Sequence, residues 1–568
     1  MTASALPPAR PQKARVHLER WVIAGTVVVL VVLIVLPLAS LLWGSVATRG
    51  GVTFGYFARV LSGRLYFDAL RNSLVLGAWT SVLSIAIGVP MAWAVVRTDL
   101  PARRFVRLTA TLAYLSPPFL IAIAYVNLFS PRAGVINEFV RHATGSNHFV
   151  FNIFSMAGLV LVTVPHTFPF VYLLASSALA SVDASYEESA QILGAGKLRT
   201  ALSITLPLVA PAILSGALIG FVNAIALFGS QAIVGLPARI FTLPTRIYAL
   251  FDYPPEYGLA SALSLVFVGI TVTALYLQRS YLARRSYVTL AGKGARPQRI
   301  ALGSWRWPLF GFCALIFIVA ILLPYGSLVA VSFSKSWGLA FWNHLTLGNY
   351  RFVLFEYDVT RRAIANSLLL AALSASFCII LGAAVAWIDV RSRFRARAVL
   401  DYISLIPLGL PGIVMAAALI QFWLKMPVPL YGTLAILLLA YAARYLPLGV
   451  RAANAALRQI DPSLEESARI LGASWSETVR EVTLPLMRTG LFAGWILVFV
   501  PAIQELSASI LLFSSKSITL AVAVYNLYEN GYIEPVAALA LVNVAIIGTA
   551  IAVANRIGGA PARFEGPT

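Results

Sequence analysis

Tyr186–Pro207 reads YEESAQILGAGKLRTALSITLP, and Leu464–Pro485 reads LEESARILGASWSETVREVTLP. Both stretches carry Glu-Ser-Ala, three residues, Gly, nine residues, Ile or Val, one residue, and Leu-Pro. Every shared position lies 278 residues from its counterpart, without a gap. The pattern predicts a short helix, a turn and a second helix. Ser185 or Asp183 supplies the N-cap in the first copy, and Asp461-Pro462-Ser463 does so in the second. Glu187, Glu188, Glu465 and Glu466 then fall in a first turn, where the helix dipole favours negative charge. Ala190, Ile192 and Leu193, and equally Ala468, Ile470 and Leu471, make an apolar side. Gly194 and Gly472 let the chain bend where a Cβ would clash. Leu-Pro opens the next apolar segment, since proline is tolerated in a first helical turn. Each copy is a polar hairpin set before a hydrophobic run, shaped to enter a cleft on a soluble partner.

The composition places that hairpin in a membrane protein. Of 568 residues, 59% are hydrophobic and 11% are charged, against about 25% charged in a soluble domain. Apolar runs long enough to span a bilayer fall near 21–46, 68–96, 105–129, 153–180, 206–234 and 257–281. A second set falls near 305–331, 362–389, 398–424, 431–457, 484–513 and 533–554. The expected fold is all-α, with about 12 membrane helices in two six-helix halves. The fifth and eleventh runs leave room for a break or a re-entrant piece. The first run is too long for a signal-peptide core.

The net charge of +21 suggests either nucleic acid or a one-sided membrane bias. The helix map favours the second: it puts 27 of the 43 Lys and Arg on the side holding both termini and both hairpins. That side is therefore read as the cytoplasm, with no nucleic-acid partner. Aromatic residues such as Trp21, Trp43, Trp305 and Trp307 suit the interfacial belts.

The halves repeat outside the hairpin too. ALRNSLVLGAWTSVLSIAIGVPMAWAVVR at 69–97 matches AIANSLLLAALSASFCIILGAAVAWIDVR at 363–391. Asn72/Asn366, Ser73/Ser367, Gly88/Gly382, Trp93/Trp387 and Arg97/Arg391 keep one offset of 294, so the first half carries extra residues, assigned to the outer loop 130–152. Both halves run in the same direction, a parallel repeat. The expected division is a disordered cytoplasmic N-terminus at 1–20, a first transmembrane domain at 21–281, a cytoplasmic linker at 282–304, a second transmembrane domain at 305–554 and a cytoplasmic tail at 555–568.

The duplicated hairpin resembles the EAA loop of binding-protein-dependent ABC importer permeases. Its alternative is an ordinary connector with a cap and a glycine stop, but two copies at fixed spacing favour the family. The resemblance implies that Glu187, Glu188, Ser189, Ala190, Gly194, Glu465, Glu466, Ser467, Ala468 and Gly472 form the loops that dock on cytoplasmic ATPase subunits, expected as a homodimer. It further implies an extracytoplasmic binding protein that delivers substrate, a multi-pass location in the bacterial inner membrane, alternating access, and a pathway between the two sequence halves. Two permease units in one chain resemble the ferric-iron and thiamine permeases. The stretch QELSASILLFSSKSITLAVAVYNLYENGYIEPVAALALV at 504–542 looks most like the iron(III) group. Thiamine, phosphonate, polyamine and sulfate remain alternative substrates.

No catalytic constellation stands out, so the chain is read as a non-enzyme. Gly194-Ala195-Gly196-Lys197 fails as a Walker A loop, which needs Gly where Gln191 stands and Ser or Thr where Leu198 stands. ATP and Mg are thus expected on the partner, with no cofactor in this chain. Cys313 and Cys378 lie in apolar runs and the five His are scattered, so no metal site is expected.

Ionisable residues inside the membrane are functional suspects. Arg444 and Glu505 are expected to neutralise each other, as a structural pair or as a lining of the pathway. The repeat mate of Arg444 is His166, and that of Glu505 is Leu227. Asn223, Gln231 and Gln504 are weaker candidates. Asp99 and Asp389, at helix ends beside Arg97 and Arg391, read as interfacial anchors. Outer-loop charges (Arg59, Arg64 and Asp68; Arg351, Glu356 and Asp358) read as a docking face or a solvated one. A secondary transporter driven by an ion gradient is the rival class. It gives no reason for duplicated loops, and a membrane enzyme lacks paired acids.

Overall fold

The computed structural model describes residues 13–145, 151–284 and 300–557. Much of the expected N-terminus, linker and tail, at 1–12, 285–299 and 558–568, lies outside the described residues, but the first helix, Lys13–Leu30, already begins inside the stretch read as disordered, its backbone continuing without a break into the apolar run. The described chain is almost wholly helical, apart from a two-residue hairpin pairing Ala47–Thr48 with Gly51–Val52. Among the described residues ten helices are long and apolar enough to cross a membrane, or 12 when each of two bent helix pairs counts as one span.

The bends fall in the third and ninth runs, where the sequence suggested straight helices. Arg103–Leu115 and Pro118–Phe129 meet at 98°, and Arg397–Gly409 meets Gly412–Trp423 at 114°. Proline sterics explain both corners. A residue before proline is pushed out of the helical region, and Ser116, Pro117 and Leu410 each precede a proline and are extended. The fifth and eleventh runs are also broken, as their sequence allowed. Leu206–Ala226 stops before the short helix Gly229–Gly235, and Leu484–Ile503 stops before Ser509–Leu512.

Contacts gather the chain into two compact units that cut across the sequence halves. Among the described residues, the smaller holds 13–43, 363–519 and 547–557. In it the first membrane helix packs against Arg397–Leu405. The larger holds 44–145, 151–284, 300–362 and 520–546, so the helical stretch Gly303–Phe333, which opens the second half in sequence, belongs to it. Tyr125 donates to the Val319 carbonyl at 2.6 Å, and the Tyr325 and Ser116 hydroxyls are bonded at 2.8 Å.

The residues that repeat between halves hold equivalent places within the two units. A Cβ on Gly88 would lie 2.9 Å from the Tyr172 amide, and one on Gly382 would lie 2.7 Å from the Gly449 backbone. Both glycines therefore mark close helix crossings, as small residues do in membrane bundles. Asn72 donates to the Phe241 carbonyl at 2.9 Å, and Asn366 donates to the Ile518 carbonyl at 2.9 Å. Each asparagine pins the non-helical segment that follows a broken helix, where carbonyls would otherwise lack partners.

Candidate functional site

Both copies of the duplicated stretch fold as the expected hairpin. The first helices are Ala184–Ile192 and Pro462–Ile470. Asp183 accepts the Ser185 amide at 2.9 Å, and Asp461 accepts the Ser463 amide at 2.9 Å. Of the two cap candidates in the first copy, the aspartate does the capping. Hydrogen bonds from the Ser185 amide and hydroxyl hold the Asp183 carboxyl below its ordinary value, and Ser463 does the same for Asp461. The helices end at Gly194 and Gly472, with φ of +84° and +96°. The next amide closes back by five residues: Ala195 to the Ala190 carbonyl at 2.9 Å, and Ala473 to the Ala468 carbonyl at 3.0 Å. This is a left-handed helix stop, which glycine adopts without strain. The second helices are Lys197–Thr200 and Trp475–Thr478, the latter carrying a Ser474/Glu477 capping box.

The paired glutamates divide their work. Glu187 is buried, accepts the Thr205 hydroxyl at 2.7 Å, and lies 3.7 Å from the Arg97 guanidinium. Arg97 donates in turn to the Val182 carbonyl at 2.9 Å. Glu465 accepts the Thr483 hydroxyl at 3.0 Å, lies 3.1 Å from Arg391, and Arg391 donates to the Ile460 carbonyl at 2.8 Å. The two knots use the same residue types in the same roles. Each ties the foot of a hairpin to the end of the second membrane helix of its half. A buried ion pair is better tolerated when further hydrogen bonds reach its partners, and here the threonine hydroxyl donates to each glutamate while a backbone carbonyl accepts from each arginine.

Glu188 and Glu466, one residue on, are exposed. Ser189 and Ser467 are exposed as well, while Ala190 is buried against the hairpin. The anchor reading of Arg97 and Arg391 therefore needs correction. Neither is an interfacial anchor; each holds a hairpin. The acids read beside them go elsewhere: Asp99 accepts the Leu302 amide at 2.9 Å, and Asp389 pairs with Arg458 at 3.3 Å. Sequence reasoning also missed Thr205 and Thr483. Their signal was present, a threonine 18 residues after each anchoring glutamate, just before Leu-Pro.

Anchoring the foot leaves the tip standing free. Ile192 and Leu193 are 85% and 87% exposed, and Ile470 and Leu471 are 84% and 88% exposed. Two large aliphatic side chains at the tip of each polar hairpin form a small apolar knob. Exposed apolar clusters rimmed by polar groups mark protein interaction sites.

A second polar constellation lies in the smaller unit. Arg444 pairs with buried Glu505 at 2.9 Å. Tyr445 also donates to the same Glu505 carboxylate. The other oxygen of Glu505 accepts the Ala508 amide at 2.8 Å. Glu505 thus holds the break after Leu484–Ile503 against the helix Leu434–Arg458. His166, the repeat mate of Arg444, belongs to the larger unit, where its ring stacks on Tyr114 with centroids 6.0 Å apart. In that unit the break after Leu206–Ala226 is held by Gln231, which donates to the Ala224 carbonyl at 2.8 Å. Asn223 donates to the Ile219 carbonyl within its own helix. Most of the outer-loop charges form exposed ion pairs, Arg64–Asp68 and Arg351–Glu356 locally and Arg59 with Glu256 across the chain.

Known proteins bear on this arrangement directly. A family model described as "binding-protein-dependent transport system inner membrane component" matches residues 84–287 and again 378–559. The chain belongs to this family. Each match contains one hairpin, with its anchoring arginine and glutamate. The permease is 26% identical over 481 residues to the "Ferric transport system permease protein FbpB" of Actinobacillus pleuropneumoniae, covering 84% of this chain and 68% of that one. It is 28% identical over 223 residues to the "Molybdenum transport system permease protein ModB" of Escherichia coli, covering 39% of this chain and 94% of that one. A solved bacterial ABC transporter involved in alginate import aligns with 48% of the permease at 19% identity and a TM-score of 0.40. The chain is a multi-pass inner-membrane permease of an ABC importer, with two permease units in one polypeptide.

Proposed function

We propose that this permease carries ferric iron inward, taking it from an extracytoplasmic binding protein and drawing energy from a cytoplasmic ATPase pair docked on the two hairpins. The observation that carries the coupling role is the duplicated anchor. Arg97–Glu187–Thr205 and Arg391–Glu465–Thr483 fix the feet of both hairpins to membrane helices, while Ile192–Leu193 and Ile470–Leu471 project from their tips. A rigid foot and an apolar tip suit a lever. Motion of the subunit holding the tip reaches the helix bearing the arginine without first bending the hairpin. Glu188, Ser189, Glu466 and Ser467, on the exposed side, are the polar contacts for that subunit. ATP and Mg reside there, and two like hairpins suit two copies of one ATPase.

Iron is favoured over molybdate by the layout of the relatives. The ferric permease of A. pleuropneumoniae aligns along both units, whereas the molybdenum permease matches a single half. Both hairpins and both termini are assigned to the cytoplasm on the charge bias of the loops. The test is reconstitution in liposomes with the partner ATPase and binding protein, reading ATP hydrolysis and uptake. Ferric-loaded binding protein should stimulate hydrolysis, and Leu193→Asp with Leu471→Asp should abolish that stimulation. Stimulation by molybdate, thiamine or a phosphonate instead would overturn the substrate. Uptake driven by an ion gradient, with no ATPase bound, would overturn the coupling role.

A further inference from the structure

A groove of about 540 Å³ opens on the smaller unit, between three membrane-spanning helices. One wall is a single face of Leu484–Ile503, formed by Arg488, Leu491, Phe492, Trp495 and Phe499. The spacing of three and four residues puts these side chains in one row. The facing walls are Ile379 on one helix and Ala550 and Val553 on another. The rings form a ladder: Phe492 and Trp495 are parallel within 2° at 6.3 Å, and Trp495 and Phe499 stack at 4.6 Å. Trp495 is fixed by donating its indole N–H to Ser376 at 3.1 Å.

The groove is apolar except at one end, where Arg488 is exposed and makes no ion pair with any described residue. Arg488 and Phe499 are 11 residues apart, which is about 16 Å of helix. That is about half of a ~30 Å hydrocarbon core, the depth of one leaflet. A cation on a membrane helix reaches for the lipid phosphate while its stem stays in apolar surroundings.

We propose that this groove is a binding site for an anionic phospholipid, with one acyl chain along the Phe492–Trp495–Phe499 ladder and the phosphate on Arg488. The site belongs to the second half alone, because the repeat offset places Ala210 and Ala217 where Arg488 and Trp495 stand. It sits at the root of the second hairpin, five residues after Thr483, so the lipid bears on the helix that the hairpin drives. With the hairpins cytoplasmic as proposed above, the leaflet is the inner one. Binding itself does not depend on that orientation, on the substrate or on the ATPase.

The test uses the full chain in nanodiscs, with dibrominated phosphatidylglycerol or dibrominated phosphatidylcholine titrated over the same range of mole fraction. The quenching lost in Trp495→Phe isolates the signal of this groove. Phosphatidylglycerol should reach half its effect at about a fivefold lower mole fraction than phosphatidylcholine, the preference that one interfacial cation confers. Arg488→Gln should erase the difference between headgroups, and Arg488→Lys should keep it. Equal quenching by both lipids in the unaltered chain would overturn the proposal, as would an undiminished headgroup preference in Arg488→Gln. Should Arg488→Gln fail to fold, the comparison of headgroups in the unaltered chain decides by itself. Uptake assays remain a separate readout, so a failed iron or coupling assignment leaves this result intact.

Discussion

Replacing Glu187 by alanine should loosen the first hairpin at its foot, and the size of the effect follows from burial. The Arg97 side chain is 1% exposed and the Glu187 side chain 7% exposed. Removing the glutamate takes away the nearest charge on the guanidinium, which keeps the Val182 carbonyl, and it also strips the Thr205 hydroxyl of its acceptor. Breaking a buried pair on one side costs about 3–5 kcal/mol. The retained carbonyl bond argues for the lower end, about 3 kcal/mol, which is roughly a hundredfold in a local opening equilibrium. Amide hydrogen exchange should read it. Amides of Tyr186–Leu193 should exchange about a hundredfold faster in Glu187→Ala, while amides in the helix Met156–Ser181 stay protected. Glu188→Ala is the control, since its side chain faces solvent and should cost less than about 0.5 kcal/mol. The double substitution Arg97→Met with Glu187→Leu should recover much of the loss, because apolar replacement of a buried pair is close to neutral. Equal exchange in Glu187→Ala and Glu188→Ala would refute the anchor.

Other consequences are as direct. Gly472→Ala should cost about 1–2 kcal/mol of hairpin stability through its φ of +96° alone, since nothing lies within 4 Å of the added Cβ; Gly472→Asn should cost less, and identical melting of all three would remove the left-handed stop. Asp461 has a folded carboxyl held below its ordinary value by Ser463. Its cap is therefore fully present above the usual carboxylate range and is lost as the pH falls through the lower folded value. Exchange of the Ser463–Ile470 amides should rise only there, and Asp461→Asn should show no such step. Arg444→Met and Glu505→Gln should each destabilise the smaller unit by about 3 kcal/mol or more, and the pair together by less than their sum, with a coupling of about 1–3 kcal/mol in thermal or denaturant unfolding. Additive losses would mean that the two side chains do not act as a pair.

Much of this organisation was legible in the chain because it is written twice. An ungapped repeat of Glu-Ser-Ala, Gly and Leu-Pro located both hairpins, and apolar runs of bilayer length located the helices. The bend at Ser116–Pro118 was missed although its prolines are plain in the sequence. Composition over a 25-residue window registers hydrophobicity, whereas a corner depends on the backbone of one or two residues. The Arg444–Glu505 pair was legible because two opposite charges in an apolar bundle have few other ways to be neutralised. The role of Arg97 was not, because its partner Glu187 lies 90 residues away, and a nearer acid, Asp99, offered a simpler account.

The sequence by itself determined the class of protein, the parallel duplication, the hairpins with their glycine stops, and the choice of glutamates as their charged residues. Those features are local or periodic, and local chemistry dictates them: bilayer-length apolar runs, helix caps, and a residue free to take positive φ. Only the tertiary structure decided which glutamate of each Glu-Glu pair is tied down, that Arg97 and Arg391 tie it, and that the contact units gather their helices across the sequence halves. A buried charge is satisfied by whatever group the packed chain brings within hydrogen-bond reach. Separation along the chain does not specify that distance, and the packing of the helices does.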